Sequence, residues 1–269
     1  MASSPLLGPE NSEDGRQSRL YRALPTLHRT EPNLFWVHSM APRVFRDAAE
    51  TGYVMPSRCS FFKRDLIYLF YGRPAYRFGY DGSMRAGQWA PCVIVFRPTI
   101  ESFSVQSHPF DTGAFLSGRY EQWIPREYDV ADFELPSSCG APAQCIQAFY
   151  GSNRNYWVGD GRKAAAYRGG ELERVVLADM ISDRAGAHAD NRRLAIEMAL
   201  ATKVPIDREH VLALVVPDTL KDAPYVLPYS FAKNIPVFSY RLYEGATVME
   251  HQVHIEEAVR HVHELNGAI

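Results

Sequence analysis

Along residues 34–77 the hydrophobic pattern changes period repeatedly, and the changes mark out strand, helix, turn and strand. Leu34, Phe35, Trp36 and Val37 form a short aromatic and β-branched run, the composition of a strand that delivers His38 and Ser39 at its end. Pro42 suits the first turn of a helix, Val44, Phe45 and Ala48 give that helix an apolar face, and Gly52 stops it. A second apolar and aromatic run, Leu66 to Tyr71, predicts the next strand and is broken abruptly by Gly72-Arg73-Pro74. A polar residue at a strand end beside a broken loop is where a scaffold displays chemistry.

Farther along, residues 78–90 carry an Asp-Gly turn signal and read as a loop, and Pro91 to Arg97 is a continuous apolar run suited to a central strand. From Pro98 to about Pro136 no period is sustained, and residues 98–170 as a whole read as a long insertion or loop region, with a short helix over 139–150. Val175, Val176 and Leu177 make Leu172–Met180 a strand candidate. Residues 194–200 (LAIEMAL) and 210–216 are predicted strands, and 236–243 alternate like a half-exposed one. Ile255, Ala258, Val259, Val262 and Leu265 recur at helical spacing, so 252–265 is predicted to be an amphipathic helix. Residues 1–30 read as a flexible polar lead, and 31–269 as a single domain.

Composition narrows the picture. At 46% hydrophobic and 22% charged residues the chain is globular, not disordered. The net charge of −2 hides an uneven distribution: between residues 58 and 97 seven Arg or Lys face two Asp. Such an excess suits a pyrophosphate or a polynucleotide, or is a solvated basic face. The four cysteines (59, 92, 139 and 145) have no CxxC spacing, which fits a reducing cytosol and argues against a disulfide framework or zinc knuckle. No secretory signal and no membrane-length apolar run is present, so the expected location is cytoplasmic.

The order strand ending in His38, helix ending in Gly52, aromatic strand running into an Arg (LIYLFYGRPAYR), and late strand with an isolated acid (Glu197) resembles the ADP-ribosyltransferase fold. Its closest likeness in motif order is to the DarT-like nucleic-acid ADP-ribosyltransferases. The resemblance implies an α+β fold of two packed, mainly antiparallel sheets flanked by helices, with NAD as substrate. It also implies a DNA or RNA acceptor, with a protein acceptor as the alternative. A toxin or defence role follows from the same resemblance, with an antitoxin or inhibitor protein as possible partner.

The candidate residues follow. A carboxylate amid the apolar run LAIEMAL costs several kcal/mol to bury unless it is paired or faces a cavity. In the cleft Glu197 would bond a ribose hydroxyl and stabilise the oxocarbenium-like cation formed as nicotinamide leaves; the other reading is a solvent-facing or helical Glu. His38 and Ser39 suit the ribose and nicotinamide, or are structural. Tyr68 and Tyr71 are candidates for stacking on the nicotinamide. Three residues apart, they lie on opposite faces of a strand, and Tyr71 is preferred as nearer the loop. The resemblance places Arg73 in the active site, with Arg77 as substitute because Pro74 follows Arg73. Asp190, Asn191, Arg192 and Arg193 are candidates for reading the acceptor, or form a solvated turn. Ala195 stands where Arg-modifying toxins carry a second acid or Gln, which leans toward another acceptor. His251, His254, His261 and His263 lack a carboxylate or Cys to complete a metal site, so they read as a polar helix surface. Two rival functions remain: NAD hydrolysis with water as acceptor, and a non-catalytic nucleic-acid-binding module.

Overall fold

The computed structural model describes residues 17–24, 31–75, 89–136, 140–167, 170–183, 191–243 and 245–269. Its strands are β1 (Trp36–Met40), β2 (Tyr53–Val54), β3 (Ser57–Arg58), β4 (Asp65–Tyr71), β5 (Cys92–Phe96), β6 (Ser104–His108), β7 (Glu197–Leu200), β8 (Val204–Pro205), β9 (Val211–Pro217) and β10 (Val237–Tyr240). Its helices are α1 (Arg19–Ala23), α2 (Pro42–Thr51), α3 (Thr112–Leu116), α4 (Ala141–Phe149), α5 (Asn153–Trp157), α6 (Arg162–Ala165), α7 (Leu172–Ser182), α8 (Leu227–Phe231) and α9 (Gln252–Leu265). Among these residues no helix is long and apolar enough to cross a membrane.

β5 and β9 are buried at every position, as their unbroken apolar sequences require of central strands. They sit within one large sheet of order β10-β9-β5-β1-β4-β7-β6, with β3 on β4; β2 and β8 form a separate ribbon. Pairing is antiparallel throughout except between β9 and β10. The fold is thus mixed α and β with a mainly antiparallel sheet. Where two packed sheets were expected, a single sheet runs through a narrow joint, plus the small ribbon.

That joint is the main departure from a regular sheet. β1 pairs with β5 along its whole length, Trp36 to Met40. With β4 it pairs at two positions, Trp36↔Tyr71 and Val37↔Phe70, while β4 goes on pairing with β7 as far as Ile67↔Leu200. Beyond Val37 the sheet therefore forks. The closed end is extended by the Gly72 amide donating to the Phe35 carbonyl at 2.8 Å. Gly72 has φ 73°, and a Cβ there would lie 2.6 Å from Leu34 Cδ1, so only glycine fits this turn.

One face of the β1–β5–β9 wing is covered by α9, whose Ile255, Val259 and Val262 pack on Val37, Val93, Val95 and Val215. The opposite face carries the larger core, with Phe45 of α2, Phe149 of α4 and Leu177 of α7. α2 has Pro42 in its first turn and ends at left-handed Gly52, as its sequence predicts.

Three sequence expectations are corrected. Leu172–Met180 lies in helix α7, because Leu177, Ala178, Met180 and Ile181 recur at helical spacing and override the β-branched Val pair. Residues 98–167 hold β6 and the helices α3, α5 and α6 where loop or insertion was expected, while α4 falls within the short helix expected over 139–150. The unexpected elements are 4–5 residues long, too short to display a period. His251 and His263 are fully buried and are not part of a polar helix surface.

His263 joins α9 to β1. Its Nε2 accepts from the Phe35 amide at 3.1 Å and its Nδ1 donates to the Val259 carbonyl at 2.9 Å. Burial lowers its pKa to about 4, against the raising effect of the Val259 carbonyl. Its unfolded value lies near 6.5, so the folded state loses stability as pH falls from there toward 4, by up to roughly 3 kcal/mol. Gln at this position keeps a donor and an acceptor and does not titrate. His263→Gln should remove that acid-dependent loss, read as urea midpoints at pH 7, 5.5 and 4.

Candidate active site

Where β1 and β4 part, the backbone groups that would have closed the ladder need other partners. His38 supplies one: its Nδ1 lies 2.7 Å from the Tyr68 carbonyl. A carbonyl only accepts, so Nδ1 carries the hydrogen and Nε2 keeps a lone pair. Burial lowers the His38 pKa, with the Tyr68 carbonyl opposing, so the ring is neutral at pH 7. Ser39 follows, its Oγ buried without a partner among the described residues.

The mouth of the fork is a cavity of about 790 Å³, within the usual range for small-molecule sites. Its walls come from His38 and Ser39 of β1, the α2 face at Val44 and Ala48, residues 55–61, Tyr68 and Phe70 of β4, and Glu197 at the start of β7. Tyr68 donates its hydroxyl to Cys59 Sγ at 2.9 Å. Burial, that bond and the charges of Glu197, Cys59 and Asp111 raise its pKa, so it stays a phenol.

Glu197 stands opposite Phe70 on one side and His108 on the other, with 3% of its surface exposed. Its Oε1 accepts from the Thr112 amide at 3.2 Å and the Thr112 hydroxyl at 2.5 Å. Thr112 opens α3, whose N-cap Asp111 accepts from the Ala114 amide at 2.7 Å. The other Asp111 oxygen lies 3.1 Å from Arg192 Nη1, and both residues line the cavity. Burial first, then the negative charge of Asp111, raises the Glu197 pKa well above the ordinary carboxylate value, against the Thr112 bonds. The group can therefore serve as a buried acid or, once ionised, as a strongly placed negative charge.

His38, Ser39, Tyr68, Arg192 and Glu197, drawn from residues 159 positions apart in sequence, thus line one cavity. Tyr71 does not: it points to the opposite face, 1% exposed, edge-on to Trp36, with its hydroxyl between the Leu34 amide and Asn33 Oδ1. Of the two tyrosines the alternation of the strand brings Tyr68 to the cavity, and the preference for Tyr71 is corrected. Arg73 is outside the cavity wall, with Nη1 beside Gly159. Arg193 turns inward, its guanidinium bonded to the Met180 and Asp183 carbonyls and 5.1 Å from the Trp123 ring, so it clamps the core instead of reading an acceptor. Asn191 begins a 3-10 turn. Arg77 and Asp190 lie outside the described residues.

Sequence reasoning missed Cys59, Asp111 and Thr112. The last two had a usable signal, an Asp-Thr-Gly cap before Ala114, Phe115 and Leu116 inside the aperiodic stretch. Among the described residues no group of three or more His, Cys, Asp or Glu is arranged to hold a metal ion. No family model matches the chain, and no curated protein or solved structure matches it.

The raised Glu197 pKa has a consequence for stability. As pH rises above the unfolded value of about 4.3, the unfolded chain ionises this carboxyl before the folded chain does, so stability falls. Glu197→Gln keeps an acceptor for Thr112 and cannot ionise. It should be more stable than the parent at pH 8, by at least about 1 kcal/mol, with the difference closing near pH 4 in paired urea titrations.

Proposed function

We propose that the protein is an NAD-dependent mono-ADP-ribosyltransferase acting on a macromolecular acceptor, a nucleic-acid base in the first instance. The observation that carries the reading is the convergence in one forked cavity of a neutral histidine, a tyrosine and a buried acid from β1, β4 and β7. Except for Arg73, which stands outside the cavity, these are the residue types and the strand order on which the resemblance to ADP-ribosyltransferases rests.

In this reading Nε2 of His38 accepts a ribose hydroxyl, Ser39 adds a hydrogen bond, and Tyr68 lies against the nicotinamide. The anomeric C–N bond breaks and its electron pair leaves with nicotinamide. The ionised Glu197 stabilises the positive charge left on the sugar, and a lone pair of the acceptor forms the new bond there. Arg192, held at the cavity by Asp111, takes the phosphate or acceptor role first given to Arg73. The basic stretch between residues 58 and 97, with Arg58 at the cavity wall, supports a polyanionic acceptor. A cytoplasmic toxin or defence role, with an inhibitor protein as partner, rests on the family resemblance.

NAD labelled on its adenylate half tests this directly. Label should pass to single-stranded DNA or RNA with release of nicotinamide. Glu197→Gln should lower the rate about 100-fold or more, while His38→Ala should act mainly through KM. Free ADP-ribose with no labelled macromolecule would instead identify an NAD glycohydrolase. Salt-sensitive nucleic-acid binding with no NAD turnover would identify a binding module.

A further inference from the structure

We infer that Asp111 is a positioning residue for Glu197: it sets a negative charge and the start of α3 beside the acid, so that Glu197 holds its proton until a cationic ligand enters the cavity and then releases it to solvent. The inference rests on the reading of the cavity as an NAD site and adds to it a substrate-triggered ionisation.

The argument begins with the oxygens. Asp111 Oδ1 is taken by the Ala114 amide and Oδ2 by Arg192, and Glu197 Oε1 is taken by both Thr112 donors. No described residue donates to Glu197 Oε2, which is where a proton has room to sit. The charges around the acid lead to the same place. From the turn at residues 191–194 comes Arg192, from β4 Tyr68 and from the segment before it Cys59, from β1 His38 and from β6 His108. Burial holds both histidines neutral, with His108 lowered to about 3. Arg58 also lines the cavity, but it is mostly exposed and 3.8 Å from Asp65. Asp47 of α2 lines the cavity as well, but it is mostly exposed and beside Arg46. Among the described residues Arg192 pairs with Asp111 and no Arg or Lys forms an ion pair with Glu197, so a negative charge on Glu197 is uncompensated at low dielectric.

The oxidised nicotinamide ring is a cation and would supply the missing charge. Its arrival favours the carboxylate, and the carboxylate is the form that stabilises the sugar cation. The reduced ring is neutral and supplies nothing. The device would thus ionise the acid only with the reactive dinucleotide in place, with the charge of Asp111 setting the threshold.

Calorimetric titration of the full chain at pH 7.5, in two buffers of different ionisation enthalpy, counts the protons released. The ligands are carbocyclic NAD, which keeps the cationic ring but resists cleavage, and NADH. The wild type should release close to one proton with carbocyclic NAD and almost none with NADH. Asp111→Asn keeps the helix cap and should release only a small fraction of a proton. The acid limb of its kcat/KM profile should move down by about one pH unit. Arg192→Gln should move that limb the opposite way; a merely structural role for the pair would not give shifts of opposite sign. Binding without proton release, or the same release from Asp111→Asn, overturns the inference and leaves the NAD reading standing. Failure to bind either dinucleotide overturns both.

Discussion

The parting of β1 from β4 after two residue pairs is the constraint from which the rest of the site follows. A strand that stops pairing in mid-sheet leaves donors and acceptors that water or side chains must satisfy. Here the His38 imidazole takes the Tyr68 carbonyl, 2.7 Å away, and so does two things at once. It satisfies the open edge, and it fixes its own tautomer with the Nε2 lone pair unused. A histidine that satisfies a backbone gap is ordinarily structural. In this position the same bond leaves the ring at the wall of a cavity with an acceptor to offer.

The fork also explains how an acid comes to be buried. β7 pairs with β4 on one side and β6 on the other, so Glu197 has no route to solvent along the sheet. Its only relief is the cavity and the short helix that begins at Thr112. That helix brings two amides and a hydroxyl to the carboxyls of residues 111 and 197, and it brings the Asp111 charge as well. Hydrogen bonds to Oε1 favour the ionised form, burial and the neighbouring charge oppose it, and the opposition prevails. A site arranged this way has a large electrostatic response to any cation that enters it.

Much of this was legible in the chain, and what was not has physical reasons. α9 was readable because a long helix on a sheet buries one stripe and exposes the rest, so its period survives in the sequence. β5 and β9 were readable as unbroken apolar runs. Glu197 stood out because a lone acid among seven residues is conspicuous. Apart from α4, the segment from 98 to 167 was opaque because its elements are short and enclosed on several sides, which erases alternation. The Asp111–Thr112 pair was hidden for the same reason, although its capping signal was present. His263 was misread because a histidine in a polar helix gives no sign that its ring reaches across to the Phe35 amide.

The tyrosine and arginine candidates show where motif order alone runs out. Tyr68 and Tyr71 are equal in sequence; strand parity separates them, but only the position of the fork says which parity faces the cavity. Arg73 was favoured because it follows the aromatic strand directly. The left-handed turn at Gly72, required by its closeness to Leu34, instead carries the chain to the closed end of the fork and leaves the guanidinium by Gly159. A cation that does stand in the cavity, Arg192, comes from the segment leading into the acid strand and is placed there by Asp111. Proximity in sequence to a strand end is therefore a weaker guide than proximity to the open end of the fork. A nearby carboxylate that fixes the guanidinium is what turns a mobile charge into part of a site.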